Sequence, residues 1–369
     1  AVKTVPRPTL QDDFSVIVNV MATGVCRSDW HGWKGHDDDI KNHGMPFIPG
    51  HEFSGVVVDV GNLVKKIRKG DHVAIPFILS CGHCAECQFD RPTVCLQQAQ
   101  PGFTMNGSFA EFIAISRADR NLRKIPDGVS FVEAAALGCR FTTAYRAVVQ
   151  QGLRLDSLQS PKTLSSQNRL HRTSRKIICI FGCGGLGLSC VMIAKAFKTE
   201  GSISSIIAVD VSSHALDKAL EFGADSIVNA NSLSNEAIRE KVLHLTDGLG
   251  AELTIDAAGF SSTCENSMYC TRRGGRMVQV GLPIGSHRPD VPMGLVCGRE
   301  LEIVGSHGFD AKELPDLLDL VLKGKLDVKK LVAKEVSLEE GAVALMSMDK
   351  GSPLGMWMIT KFKKECSKL

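Results

Sequence analysis

No surplus charge of either sign marks this chain of 369 residues. Its 43 basic and 40 acidic side chains leave a formal charge of +3, too small to argue for nucleic acid or an anionic membrane as the main partner. No stretch approaches the twenty or so apolar residues of a membrane span, and the opening Ala1-Val2-Lys3-Thr4-Val5-Pro6 has no signal-peptide core. The chain also lacks an internal repeat, which sets aside a repeat architecture. A soluble, intracellular protein is expected. Its length exceeds what one hydrophobic core usually organises, so two domains are expected. The last three residues, Ser367-Lys368-Leu369, match the peroxisomal address read by an import receptor. The expected location is therefore a peroxisome or related organelle, with the cytoplasm as the alternative.

What the chain has in quantity is cysteine, thirteen in all. An intracellular domain of this size does not need disulfides and usually keeps its thiols reduced, so the spacing points to metal instead. Cys81, Cys84, Cys87 and Cys95 lie close enough for a short lobe to wrap one ion. Four thiolates saturate a tetrahedral zinc and leave no open position, which makes such a site structural. A second set is dispersed: Cys26, the pair His51-Glu52, and Cys139. Only the fold could bring these together, and a lone cysteine is more often a small buried hydrophobe than a ligand.

The hydropathy pattern divides the chain. Alternating or β-rich stretches at Phe14 to Val20, Ser54 to Val60, His72 to Pro76 and Phe109 to Ile115 are separated by glycine-bearing turns, which suggests an antiparallel, partly barrel-like domain. After Cys139 short apolar strands alternate with helical patterns, the mark of a βαβ sheet. Strands are expected at Ile177 to Phe181, Ile206 to Val209, Ser226 to Val228, Leu253 to Asp256 and Met277 to Val280. Helices are expected at Leu186 to Phe197, His214 to Phe222, Asn235 to Leu245 and Thr263 to Cys270. Beyond Glu302 come helices at Leu314 to Leu322 and Leu338 to Met346 and a last strand near Met356 to Phe362, a segment expected to rejoin the first domain. The polar, basic stretch 157–175 reads as a surface loop.

Gly182-Cys183-Gly184-Gly185-Leu186-Gly187 follows a buried strand and opens a helix, where backbone amides and the helix N-terminus can approach a pyrophosphate. Asp210 ends the next strand, and a carboxylate there accepts hydrogen bonds from ribose hydroxyls and repels a 2′-phosphate, favouring NAD over NADP. Ser212 and Ser213 keep the NADP alternative open.

Taken in order, Gly24-Val25-Cys26-Arg27-Ser28-Asp29-Trp30-His31, Pro49-Gly50-His51-Glu52-Phe53-Ser54-Gly55, the four-cysteine lobe, Leu137-Gly138-Cys139 and the glycine-rich turn resemble the zinc-containing alcohol dehydrogenases of the medium-chain dehydrogenase/reductase family. The resemblance implies an α/β protein with a doubly wound parallel-sheet (Rossmann) domain, residues 141–305, that binds NAD. It also implies a partly barrel-like, GroES-like catalytic domain, residues 1–140 and 306–369, with a structural zinc lobe at 81–95. Cys26, His51 and Cys139 would bind the catalytic zinc, with a fourth position for water or substrate. Sorbitol-type relatives generally have a glutamate where this chain has Cys139, which favours the alcohol dehydrogenase branch.

Carried over residue by residue, Asp29 matches the carboxylate that orients the histidine ligand, Glu52 a carboxylate behind the zinc, Ser28 and His31 a proton relay, and Phe77 an aromatic wall of the substrate pocket. Thr143 matches a residue packing on the nicotinamide, Val280-Gly281-Leu282 a strand end that binds the carboxamide, and Arg27 a pyrophosphate ligand. Two residues depart from the pattern. Met356 stands where a second pyrophosphate arginine is common, and Arg140 where glycine is, as a contributor to the substrate or cofactor surface. The implied reaction transfers a hydride between an alcohol and NAD, the alcohol proton leaving through Ser28, the cofactor ribose and His31. The expected partners are a small alcohol or aldehyde and further copies of the chain in a homodimer or homotetramer. Rival readings are an NADP-preferring aldehyde reductase, a glutathione-dependent formaldehyde dehydrogenase, and a non-enzymatic zinc and nucleotide binder.

Overall fold

The computed structural model describes residues 2–36, 38–153, 176–198, 201–283, 288–351 and 355–362. The basic stretch 157–175 and the tail Ser367-Lys368-Leu369 lie outside the described residues. By Cα proximity the chain divides into two compact units, residues 1–142 with 308–369, and 143–307.

The first unit opens with strands β1 (Val16–Val25), β2 (Glu52–Val60), β3 (His72–Ile75), β4 (Phe112–Ile115) and β5 (Arg123–Lys124). Their burial follows from period-two patterning: Val16, Val18 and Val20 of β1 join Phe53, Val57, Val73, Ile75, Ile113 and Ile115 in one core cluster. A short helix Arg27–Trp33 follows β1 directly, and a second helix, Phe131–Ala136, begins at Ser130. Ser130 Oγ accepts from the Glu133 amide while the Glu133 carboxylate accepts from the Ser130 amide, a reciprocal cap that fixes where the helix starts. At Leu137–Phe141 this helix widens into a π turn, a distortion frequent at functional sites. The hydropathy pattern does not reveal this helix: Phe-Val-Glu-Ala-Ala-Ala is buried or half-buried throughout and shows no polar alternation.

The second unit carries β6 (Ile177–Phe181), β7 (Ser205–Asp210), β8 (Ser226–Asn229), β9 (Ala251–Asp256), β10 (Thr271–Gln279) and β11 (Glu302–Gly305). They form one parallel sheet in the order β11-β10-β9-β6-β7-β8. Numbered from its first strand this is 3-2-1-4-5-6, the doubly wound order, whose strand direction of travel reverses between β6 and β9. The helices Gly185–Lys198, Ser213–Phe222, Asn235–Leu245 and Ser261–Cys270 connect the strands. Two features differ from the expectation. β10 begins six residues before Met277, its register broken between Thr271 and Arg276, because Gly274 at φ +64° makes a kink that reads as a turn. β11 is a short exposed edge strand that hydropathy does not reveal.

Back in the first unit, helix Leu314–Leu322 is followed by β12 (Val332–Ser337), helix Leu338–Ser347 and β13 (Met356–Lys361). β13 pairs antiparallel with β1, so the C-terminal segment completes the first sheet, ordered β12-β13-β1-β2-β3-β5 with β4 on β1.

Candidate zinc and nucleotide sites

Helix Arg27–Trp33 and the residues before β2 meet at one buried carboxylate. Asp29 accepts from the backbone amides of Cys26 (3.0 Å) and Gly50 (2.9 Å) and from His51 Nδ1 (2.9 Å). Asp29 and His51 are both buried, so three donors from two segments converge on one anion. Gly50, at φ +104°, is backed so closely by Ser108 and Phe109 that a Cβ would come within 2.6 Å of them. Only glycine fits there.

With Nδ1 committed to Asp29, the opposite nitrogen, Nε2, is buried without a well-formed hydrogen bond among the described residues. Its position is explained by what surrounds it: ligand atoms of Cys26, His51, Glu52 and Cys139 all lie within 4.8 Å of one another. The imidazole is raised well above its usual range, burial opposing and the Asp29 carboxylate prevailing. A site that favours positive charge there suits a metal ion as well as a proton. The Cys26 thiol is held well below its usual range by the hydrogen bond to Cys139, against burial and with help from Arg140. Zinc ligation requires a thiolate of that kind. Two thiolates and one oriented imidazole fit a catalytic zinc.

Glu52 belongs to this cluster, with both oxygens buried and without a hydrogen bond among the described residues. Burial pushes its carboxyl up to about 7 against the pull of Arg140. Arg140 requires a correction. Expected on a substrate or cofactor surface, it is only 9% exposed, with Nε 3.6 Å from Glu52 Oε1 and Nη2 donating to Val25 O at 2.8 Å. The π turn places Cys139 and Arg140, neighbours in sequence, both against the cluster.

Two aromatic rings flank the imidazole. Phe77 packs edge-on to His51 at 6.1 Å between ring centroids, and Phe103 lies 5.1 Å from the same ring. Ser28 is half-buried in the turn after Cys26. His31 Nδ1 sits 3.1 Å from His36 Nδ1. Arg27 lies 3.6 Å over the Trp30 ring and donates to Met348 O. Met356 is fully buried in β13.

Cys81, Cys84, Cys87 and Cys95 form a second group whose ligand atoms could hold one metal ion. Their sulfurs receive backbone N–H groups: Cys81 Sγ from His83 (3.4 Å) and Cys84 (3.2 Å), Cys95 Sγ from Cys81 (3.3 Å) and Gln97 (3.3 Å). Such donors stabilise thiolates. No open position remains once four sulfurs bind one tetrahedral ion.

In the second unit the turn after β6 is built for close approach. Gly182 has φ +90°, and a Cβ at Gly187 would lie 1.7 Å from Gly182 O. Gly184 faces open space, and Gly185 and Leu186 begin the helix. Asp210, at the end of β7, braces the turn: Oδ2 accepts from Cys183 N (2.6 Å) and Oδ1 from Ser212 N (2.8 Å). Val280, Gly281 and Leu282 follow β10, with the amides of Val280 and Gly281 bonded to Asp256 O. Thr143 Oγ1 is buried without a hydrogen bond among the described residues. Asp256 escaped the sequence reading. Its carboxylate accepts from Ala258 N, Gly259 N and Gln279 Nε2 and so ties together the strand ends beside the glycine-rich turn. Its place at a strand end beside the fingerprint strand is the signal that could have found it.

Comparison with known proteins identifies the family. The alcohol dehydrogenase GroES-like domain family matches residues 12–127, and the zinc-binding dehydrogenase family matches residues 185–323. An alcohol dehydrogenase of Geobacillus stearothermophilus is 31% identical over 367 residues, covering 99% of this chain and 96% of its own. D-xylulose reductase A of Aspergillus oryzae is 28% identical over 358 residues, 94% of this chain and 89% of its own. Among solved structures, alcohol dehydrogenase TADH from Thermus sp. ATN1 superposes with a TM-score of 0.82 at 25% identity, over 98% of this chain and 96% of that one. On the strength of that family match, this chain belongs to the zinc-containing alcohol dehydrogenases of the medium-chain dehydrogenase/reductase family and is a zinc-dependent oxidoreductase of alcohols or polyols that uses a nicotinamide cofactor.

Proposed function

We propose that the enzyme interconverts an alcohol and its aldehyde or ketone with NAD, at a zinc held by Cys26, His51 and Cys139, while a second zinc held by Cys81, Cys84, Cys87 and Cys95 is structural. The observation that carries the reading is the buried Nε2 of His51, set among two thiols by the Asp29 bond to Nδ1. A zinc ion held there would supply Lewis-acid polarisation of the alcohol oxygen, and bound NAD would supply the hydride acceptor.

The chain's own residues do the rest. Asp29 fixes the imidazole tautomer so that a lone pair faces the cluster. Ser28 and His31 carry the alcohol proton outward. Phe77 walls the substrate side of His51. Asp210, with Gly182, Gly184, Gly185, Leu186 and Gly187, binds the dinucleotide, while Thr143 and Val280-Gly281-Leu282 seat the nicotinamide end. NAD is favoured over NADP because the Asp210 carboxylate at the end of β7 would repel a 2′-phosphate; Ser212 Oγ accepts from Ala215 N and Ser213 Oγ from Asn229 Nδ2.

A homodimer formed through β11 is part of the same proposal. That strand is the edge of its sheet, and the exposed apolar side chains Leu282, Val291, Met293 and Ile303 cluster in the segments around it in sequence. A peroxisomal destination rests on Ser367-Lys368-Leu369 alone; deleting these residues from a tagged chain should return it to the cytoplasm.

Zinc content by mass spectrometry, paired with NAD and NADP reduction across short, long and aromatic alcohols and polyols, tests the core of the reading. Two zinc ions per chain and NAD turnover are expected, with one zinc and no turnover in folded Cys139→Ser. Full activity of that variant would overturn the ligand assignment.

A further inference from the structure

A carboxylate at ligand distance from three zinc-binding side chains raises a question of coordination. Glu52 has an oxygen within 4.8 Å of the ligand atoms of Cys26, His51 and Cys139. Were it to bind, the ion would have four protein ligands and no position for an alcohol, the closed arrangement of a structural zinc. Two thiolates already neutralise a divalent ion, so the carboxylate would also leave the centre with a net negative charge. Something must hold Glu52 back.

The slot that contains it leaves little freedom. A Cβ on Gly24 would lie 2.4 Å from Glu52 Oε2, and one on Gly138 would lie 2.8 Å from Glu52 Cα. Neither oxygen has a hydrogen bond among the described residues, so the carboxylate is tethered by charge rather than by a fixed donor. The cation that faces it is Arg140, Nε at 3.6 Å from Oε1. The guanidinium is itself anchored, Nη2 donating to the carbonyl of Val25 at 2.8 Å, one residue before the ligand Cys26.

We infer that Arg140 is a positioning residue that competes with the catalytic zinc for Glu52 and so keeps the fourth coordination position open. The inference rests on the reading of Cys26, His51 and Cys139 as the zinc ligands. Deprived of its counter-charge, a buried carboxylate must take up a proton or another cation, and the cation in reach here is the metal.

The test uses full-length protein with cobalt(II) in place of zinc, whose d–d absorption reports what binds at the open position. Imidazole is titrated into the parent, Arg140→Met, Arg140→Gln and the double variant Arg140→Met/Glu52→Gln. The parent should bind imidazole with a clear spectral change. Both single variants should bind it at least tenfold more weakly and show an altered spectrum before imidazole is added. The double variant, which removes both members of the pair, should regain the parent's affinity. Arg140→Gln keeps a donor for Val25 O and serves if Arg140→Met does not fold. Unchanged imidazole affinity in a metal-loaded single variant would overturn the inference, as would failure of Glu52→Gln to restore it. A parent that takes up cobalt with no dependence on Cys139 would instead overturn the ligand assignment beneath it.

Discussion

Removing the Asp29 carboxylate should undo the zinc site and part of the fold together. Its two oxygens accept three buried donors, the amides of Cys26 and Gly50 and the His51 ring. Leaving a buried donor unpaired costs about 1–3 kcal/mol each. Asp29→Ala should therefore destabilise the metal-loaded protein by roughly 3–9 kcal/mol, a large share of a typical domain's stability. Asp29→Asn can still accept from two donors but turns an NH2 toward the third, so about 2 kcal/mol is expected. It also removes the charge that orients His51, and loss of such a partner typically lowers zinc affinity about 10–100-fold. Urea unfolding of zinc-loaded protein and competition with a calibrated chelator read the two effects separately. If Asp29→Ala unfolds within about 0.5 kcal/mol of the parent and keeps its zinc, the three-donor account of this carboxylate is wrong.

Asp210→Asn should weaken NAD at least tenfold relative to NADP in equilibrium fluorescence titrations, since it removes the charge that would repel a 2′-phosphate and loosens the bond to Cys183 N; an unchanged NAD to NADP ratio would refute the ribose contact. Gly187→Ala should abolish dinucleotide binding, because its Cβ would fall 1.7 Å from Gly182 O, and a binding isotherm like the parent's would show that the turn relaxes. Ser130→Ala should cost about 1 kcal/mol by loss of the helix cap. Glu133 tests the same cap by pH: burial raises its carboxyl, but the Ser130 donors and Lys329 outweigh burial and leave it lowered. A carboxyl lowered in the folded state stabilises above the unfolded value and loses that contribution as pH falls through the folded one. The stability gap between parent and Glu133→Ala should therefore be present at pH 7 and close on acidification; a gap independent of pH would discount the cap.

What the sequence disclosed depended on how local each arrangement is. The four cysteines between 81 and 95 sit within one loop, so spacing alone suggested a common ion. The glycine-rich turn and Asp210 are joined by one βαβ unit, and a single period-two to period-3.6 switch exposes them. Cys26, His51 and Cys139 come from three segments that only the completed sheet and the capped helix bring together, and family resemblance rather than spacing united them. Arg140 was misread for the same reason. Nothing near position 140 announces a partner at position 52, and an arginine is buried seldom enough that a surface role is the natural expectation. β11 and β12 escaped because their exposed faces carry polar residues or glycine, leaving too little alternation to mark a strand.

The widened turn at Leu137–Phe141 makes the active centre sensitive to chain length at one point. An α-helix advances about 100° per residue, so deleting a single residue between Ala136 and Cys139, which would let the helix close into regular α geometry, would rotate Cys139 by about that angle relative to Phe131–Ala136 and swing its sulfur away from Cys26 and His51. Substitutions along this helix away from Gly138, Cys139 and Arg140 can be absorbed by repacking; a change in residue count cannot. Relatives that share this zinc geometry should therefore vary in the remaining side chains yet keep the number of residues between the Ser130 cap and Cys139 constant.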